Sequence, residues 1–358
     1  MHGIGILKIS GTDMASDVLE DNVKNGTIWY AKDMQSNQAW LNPLSTEQQK
    51  EITVAFQTAK KNAATSKSIK KADFPLPQLG NVINKMQHGI DKGYGFSVIR
   101  GVPIAGLNID DIELIYSGIT AHFGVKINQD TKGTLIDHVS DRGSDYSDIS
   151  VRGYTTNAQL TPHCDSGDLI SLMCVNPAKE GGMNNISCSM AIYNEILNNN
   201  PEYLDSLYRG YHYNIRGNGP LGKYQDITAH RVPVFSYYES MLSCRYNEKA
   251  IYTAEELSGA PPLSDLDKKA IRMVSELAHR EDIQFNVMLE AGDIAFLNNY
   301  TVLHNRGPFV DHSTPEKRRL YLRQWINLHN GRLLKDEFAD HYNTGPRKGP
   351  AIHINTGE

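Results

Sequence analysis

The chain has 358 residues, of which 40% are hydrophobic and 22% charged, with a formal net charge of −5. That length buries a sizeable core, and the mild acidity excludes a global basic field that would draw the protein to nucleic acid or an acidic membrane surface. Four cysteines without C-x-x-C spacing (Cys164, Cys174, Cys188, Cys244) exclude a disulfide framework. With no cationic leader and no apolar run of transmembrane length, they point to a cytoplasmic protein.

Residues 1 to about 44 are mixed, and their one strongly apolar patch, "TIWYAKDM", is expected to wrap onto the body. Ser45-Thr46-Glu47-Gln48 has the capping-box pattern, and Ile52, Ala55, Phe56 and Ala59 then recur at helical spacing. The basic run Lys67 to Lys71 reads as a solvated helix end or loop. After "FPLPQLG" a second helix carries Leu79, Val82, Ile83, Met86 and Ile90 on one face, and Gly93-Tyr94-Gly95 ends it. "FSVIRGVPI" is a buried strand, and "IDDIELIYSGITAHFG" a third helix.

From "GTLIDHVS" onward short strands dominate: "SVRGYTTNAQLTPHCD", "DLISLMCVNP" and "NNISCSM". A helix pair follows at about Ala191 to Gly210, then the irregular "HYNIRGNGPLGKYQD", the stretch "RVPVFSYYESMLSCRY" and a helix from Ser264 to about His279. "IQFNVMLEAGDIAFLNN" and "RRLYLRQWINLH" supply the last strands. The polar tail from Leu334 is expected to lie on the surface. Helices first, then antiparallel strands with a helical interruption, predict a mainly β protein with helical cover and a jelly-roll core. We read 1–358 as one domain, with the core at about 95–330 and a helical insertion at about 190–280.

In extended backbone His163 and Asp165 share a face and Cys164 points opposite, as a packed small residue. An imidazole and a carboxylate so placed can hold two adjacent positions of one metal ion. With a further histidine they form the two-histidine, one-carboxylate triad of non-heme iron(II) oxygenases. His304, in "FLNNYTVLHNRGP", is the candidate third ligand. "RRLYLRQW" places Arg319, Tyr321 and Arg323 on one strand face. Two arginines on one face of an apolar strand are costly to bury unless anions meet them, and a guanidinium fork suits a dicarboxylate.

Together His163-x-Asp165, "PAKEGGMNNISCSMAIYNEI", "GDIAFLNNYTVLHNRGP" and "KRRLYLRQW" resemble the taurine dioxygenase (TauD/TfdA-like) family, which is related to clavaminate synthase. The likeness is densest over residues 152–196 and 283–327, and "GYGFSVIRGVP" extends it to about residue 90. It implies a double-stranded β-helix and an iron(II)- and 2-oxoglutarate-dependent oxygenase that consumes O2 and releases succinate and CO2. It implies His163, Asp165 and His304 as iron ligands and Arg319 as partner of the distal carboxylate of 2-oxoglutarate. Asn184 stands where the family usually has a threonine touching 2-oxoglutarate, and its amide can donate that bond. Gln159 matches a position that can contact substrate. The carboxylate of Asp165 argues against halogenation, because halogenases of this chemistry lack it.

Arg323 has two readings at this stage. It neutralises an anionic or amino-acid-like small substrate that Gln159 orients, or it braces 2-oxoglutarate or a core carboxylate. A metal-dependent jelly-roll hydrolase or isomerase using the same ligands without O2 is the alternative function, and Arg319 argues against it. "GNGPLGKY" mimics a phosphate loop but has Tyr224 in place of Ser or Thr and Pro220 inside it, so it reads as a loop over a pocket. His122, His138, His212 and His230 lack partners at ligand spacing and read as surface or satisfied core histidines. No residue pattern speaks to oligomeric state.

Overall fold

The computed structural model describes residues 6–7, 18–145, 151, 153–257 and 259–353. Its centre is a sheet of seven strands. In spatial order these are Leu41–Pro43, Phe96–Arg100, Ile294–Asn298, Leu169–Asn176 and Leu320–Leu328, the last flanked by both Gly124–Ile127 and Asp137–Val139. All pairings are antiparallel except that of Leu41–Pro43 with Phe96–Arg100. A smaller antiparallel sheet runs Gln284–Val287, Asn184–Cys188, Val302–Arg306.

Side chains alternating along the large sheet divide the core in two. Phe96, Val98, Ile170, Cys174, Ala295, Leu297, Tyr321 and Trp325 share one cluster with Ile186, Phe285, Val287 and Leu303 of the small sheet. On the opposite face Ile99, Leu169, Met173, Ile294, Phe296, Leu322 and Ile326 pack with residues of three helices. The result is a jelly-roll with the cavity between its sheets and helices on the outer face, as the sequence predicts.

The three covering helices form where expected. Helix Thr46–Lys61 is capped by Ser45, whose Oγ accepts from the Gln48 amide while Gln48 Oε1 accepts from the Ser45 amide, and it buries Ile52, Ala55, Phe56 and Ala59. Helix Leu79–Lys92 buries Leu79, Ile83, Met86 and Ile90. Helix Ile109–Thr120 lies so close to Phe74 that a Cβ on Gly118 would come within 2.4 Å of the ring. Between Cys188 and Gln284 the chain forms helices Ser189–Asn199, Leu204–Arg209, Glu248–Glu255 and Asp265–Ala278 and a hairpin, Phe235–Tyr238 with Met241–Cys244.

Two expectations are corrected. Part of "SVRGYTTNAQLTPHCD" lies outside the described residues, and the rest is no regular strand. It makes a 3-10 turn at Gly153–Thr155, then bends, and among its described residues β-bridges form at His163 alone. Pro162 removes an amide donor next to that bridge, which keeps the ladder from extending. The tail from Leu334 is not a surface strap: Phe338 is fully buried, His341 is buried, and Tyr342 lines the cavity.

Candidate active site

A cavity of about 180 Å³ opens between the sheets, and it holds His163, Asp165 and His304. One ligand atom from each of the three lies within 4.8 Å of the others, the sole such His/Cys/Asp/Glu group among the described residues. His304 sits mid-strand in Val302–Arg306, opposite Ile186. On its other side it bridges to His163: the His163 amide donates to the His304 carbonyl at 3.0 Å, and the His304 amide returns the bond at 2.8 Å. The imidazole rings stand 4.5 Å apart between centroids. Asp165 follows on the same side, and Cys164 between them is buried, its sulfur accepting from the Tyr246 amide at 3.0 Å. The two-residue alternation thus holds locally where no regular strand exists.

The donor set fits a divalent first-row metal. His163 Nδ1 lies 2.8 Å from the Thr161 carbonyl, a contact that assigns the proton to Nδ1 and leaves the Nε2 lone pair for a metal. Burial, then the neighbouring His163, pushes His304 down to about 3, so it is a neutral imidazole at physiological pH. Its Nε2 is 3.9 Å from Asp165 Oδ2. Burial alone would raise the Asp165 carboxyl, but Arg323, His304 and His163 outweigh that effect and hold it below the usual carboxylate range.

Arg319 lines the same cavity and is 3% exposed. Its Nε and Nη1 are buried without a hydrogen-bond partner. Its guanidinium lies 3.9 Å from the Tyr321 ring centroid and 5.1 Å from that of Phe309. Burial lowers its pKa, as expected of a cation lacking a close carboxylate. Gly182, at φ +72°, turns the chain beside it, a conformation only glycine adopts without strain. Asn184 also lines the cavity, but its Nδ2 already donates to the Val287 carbonyl at 3.3 Å, so only its remaining amide hydrogen is available.

The other two site candidates fare differently. Arg323 lines the cavity with every guanidinium nitrogen engaged: Nε donates to Gln129 Oε1 at 2.8 Å, Nη1 to Asp165 Oδ2 at 3.3 Å and Nη2 to Asp137 Oδ2 at 3.3 Å. Of the two readings, bracing a carboxylate is the one this geometry matches. Gln159 is exposed and is not among the cavity-lining residues, which corrects its expected place beside a substrate. The bends at 156–158 and Pro162 break the alternation that would have pointed it inward. Sequence reasoning missed Tyr154, Tyr213, Arg245, Asn247 and Tyr342 as lining residues. Asn247 alone left a signal, because it caps helix Glu248–Glu255. His122, His138, His212 and His230 are each hydrogen-bonded to a carbonyl or carboxylate away from the cluster, as expected.

Residues 60–325 match the taurine catabolism dioxygenase TauD, TfdA family, and the chain belongs to that family of enzymes. It is 27% identical over 329 residues to the FR-33289 synthase of Streptomyces rubellomurinus, covering 91% of this chain and 96% of that one. It is 24% identical over 317 residues to the taurine hydroxylase-like protein SAT17 of Stachybotrys chartarum, covering 85% and 80%. Asparagine oxygenase in complex with Fe(II), (2S,3S)-3-hydroxyasparagine and succinate superposes with a TM-score of 0.63 at 15% identity, covering 80% of this chain and 93% of that one. The non-heme iron oxygenase OrfP in complex with Fe and alpha-ketoglutaric acid superposes with a TM-score of 0.59 at 12% identity, covering 80% and 94%. These two likenesses establish the shared fold. Among the described residues no helix is long and apolar enough to cross a membrane.

Proposed function

We propose that the protein is an iron(II)- and 2-oxoglutarate-dependent oxygenase acting on a small anionic or amino-acid-like metabolite. The observation that carries this is Arg319: a buried guanidinium with two unpaired nitrogens shares one cavity with the His163–Asp165–His304 cluster. The solved relatives support the cosubstrate, since they hold iron with succinate or alpha-ketoglutaric acid, and they support an amino-acid-like substrate. A hydrolase or isomerase on the same ligands has no use for an uncompensated arginine beside them. The two core clusters share the large sheet, which supports reading the chain as one catalytic domain.

Iron(II) bound to the three ligands supplies O2 activation coupled to decarboxylation of 2-oxoglutarate, so that substrate C–H, 2-oxoglutarate and O2 become substrate C–OH, succinate and CO2. His163, Asp165 and His304 would hold the metal at the wall of the cavity, beside the space for cosubstrate and substrate. The Thr161 carbonyl fixes the tautomer of His163, and Arg323 keeps Asp165 ionised as a ligand. Arg319 grips the distal carboxylate of 2-oxoglutarate with its two free nitrogens, while the rings of Tyr321 and Phe309 keep water from that ion pair. The remaining amide hydrogen of Asn184 adds a bond to the same ligand.

Anaerobic titration with iron(II) and 2-oxoglutarate, followed by oxygen and a panel of amino acids and small anions with succinate as readout, tests the reading. In Arg319→Leu, losing the charged partner of a desolvated carboxylate typically costs roughly 2–5 kcal/mol, a factor of tens to thousands in affinity. We expect 2-oxoglutarate to weaken by that factor with iron binding intact. An unchanged 2-oxoglutarate affinity in this variant overturns the proposal.

A further inference from the structure

Arg216, Arg245, Lys249, Arg306, Arg319 and Arg323 line the cavity, and Asp165 is the one carboxylate among its described lining residues. Arg323 is engaged by Asp165, Asp137 and Gln129. Arg306 donates to the carbonyls of Thr156 and Ala158, and Lys249 Nζ donates to the Val151 carbonyl at 3.3 Å.

Arg245 is placed differently. Its Nη1 is enclosed and has no hydrogen-bond partner, and the residue forms no ion pair with any described carboxylate. The guanidinium lies 5.1 Å from the centroid of the Tyr213 ring. Burial lowers its pKa. The residue as a whole is partly exposed, but an enclosed guanidinium N–H without a partner is costly to keep unless an acceptor joins it.

The backbone fixes this cation to the metal ligands. The Tyr246 carbonyl, one residue on, accepts from the Cys164 amide at 2.9 Å, and Asn247 bridges to His163. The Arg245 amide itself donates to the Val234 carbonyl at 2.8 Å. Arg319, by contrast, stands at the start of the long strand of the large sheet. The cavity therefore offers two guanidinium sites on two different elements, with the candidate metal ligands tied to one of them.

We propose that Arg245 is the anchor for an oxyanion head group on the substrate, so that the substrate's charge is read from the helical insertion and not from Arg323. This rests on the oxygenase reading, in which Arg319 is taken by 2-oxoglutarate. The guanidinium fork suits carboxylate, sulfonate and phosphoryl groups alike.

The test uses full-length protein saturated anaerobically with iron(II) and 2-oxoglutarate, so that Arg319 is occupied. Acetate, methanesulfonate and methylphosphonate are titrated in calorimetrically, with acetamide as the uncharged control. We expect at least one of the three anions to bind where acetamide does not, and the strongest of them identifies the head group. Arg245→Gln should weaken that anion at least tenfold, and Arg245→Lys should weaken it less. Binding of 2-oxoglutarate should be unchanged in both variants, which also reports that they are folded. If no anion binds the loaded wild type, or if Arg245→Gln leaves its affinity unchanged, the proposal is overturned. Failure of the wild type to bind 2-oxoglutarate would instead overturn the oxygenase reading and this proposal with it.

Discussion

Arg319 and Arg323 occupy the same strand face four residues apart, yet one has two bare nitrogens and the other has none. The cause is register. Arg323 lies directly across from Asp137 on the neighbouring strand, while Arg319 precedes the paired segment and meets aromatic rings. Arg323→Gln leaves Asp165 and Asp137 without their common cation. Breaking a buried pair by removing one partner costs about 3–5 kcal/mol, so urea unfolding should show a loss of that order. Gln159→Ala, by contrast, should change stability by no more than about 0.5 kcal/mol and leave succinate formation with any active substrate unaltered. The ligands His163 and Asp165 were legible because one local spacing decides which way they face. The fate of Arg323 was not, because its partners Asp137 and Gln129 lie 186 and 194 positions away.

Elements with local signals formed as read. The Ser45 cap and the spacing of Ile52, Ala55, Phe56 and Ala59 specify helix Thr46–Lys61 without reference to the rest of the chain. Ser45→Ala should cost about 1 kcal/mol in urea or thermal unfolding and leave metal and cosubstrate affinity alone, because this helix covers the sheet face turned away from the cavity. Gly118→Ala should cost more, about 1–3 kcal/mol, since its Cβ must displace the Phe74 ring. The stretch before His163 misled for a physical reason. It carries the apolar and β-branched content of a strand, but its pairing is limited to two isolated bridges at His163, with His304 on one side and Asn247 on the other. Helix Glu248–Glu255 was missed because it follows a hairpin strand closely, with only Arg245, Tyr246 and the Asn247 cap between them.

At the scale of the whole molecule, the C-terminal segment fastens the cavity wall to the large sheet. Arg347 pairs with Asp168 at 2.9 Å, and the same carboxylate accepts from the Tyr300 hydroxyl and the Leu328 amide. Tyr342 shares a 2.8 Å hydrogen bond with Ser166, the residue after Asp165. Composition hid this, because a polar segment with two prolines docks through a few spaced residues, Phe338, His341, Tyr342 and Arg347. Deleting residues 334–358 should lower the melting temperature and weaken iron retention, measured by thermal unfolding and metal analysis after gel filtration. The buried charges around the cavity carry a final consequence. Asp165 is shared with Arg323, and Arg319 meets no carboxylate. A divalent cation held at the three ligands would bring more positive charge than Asp165 offsets, and a dicarboxylate at Arg319 would bring one negative charge more than that guanidinium meets, so that bound together each offsets the other's surplus. Each therefore prepares the electrostatic ground for the other, and stripping the metal should weaken 2-oxoglutarate even with Arg319 untouched.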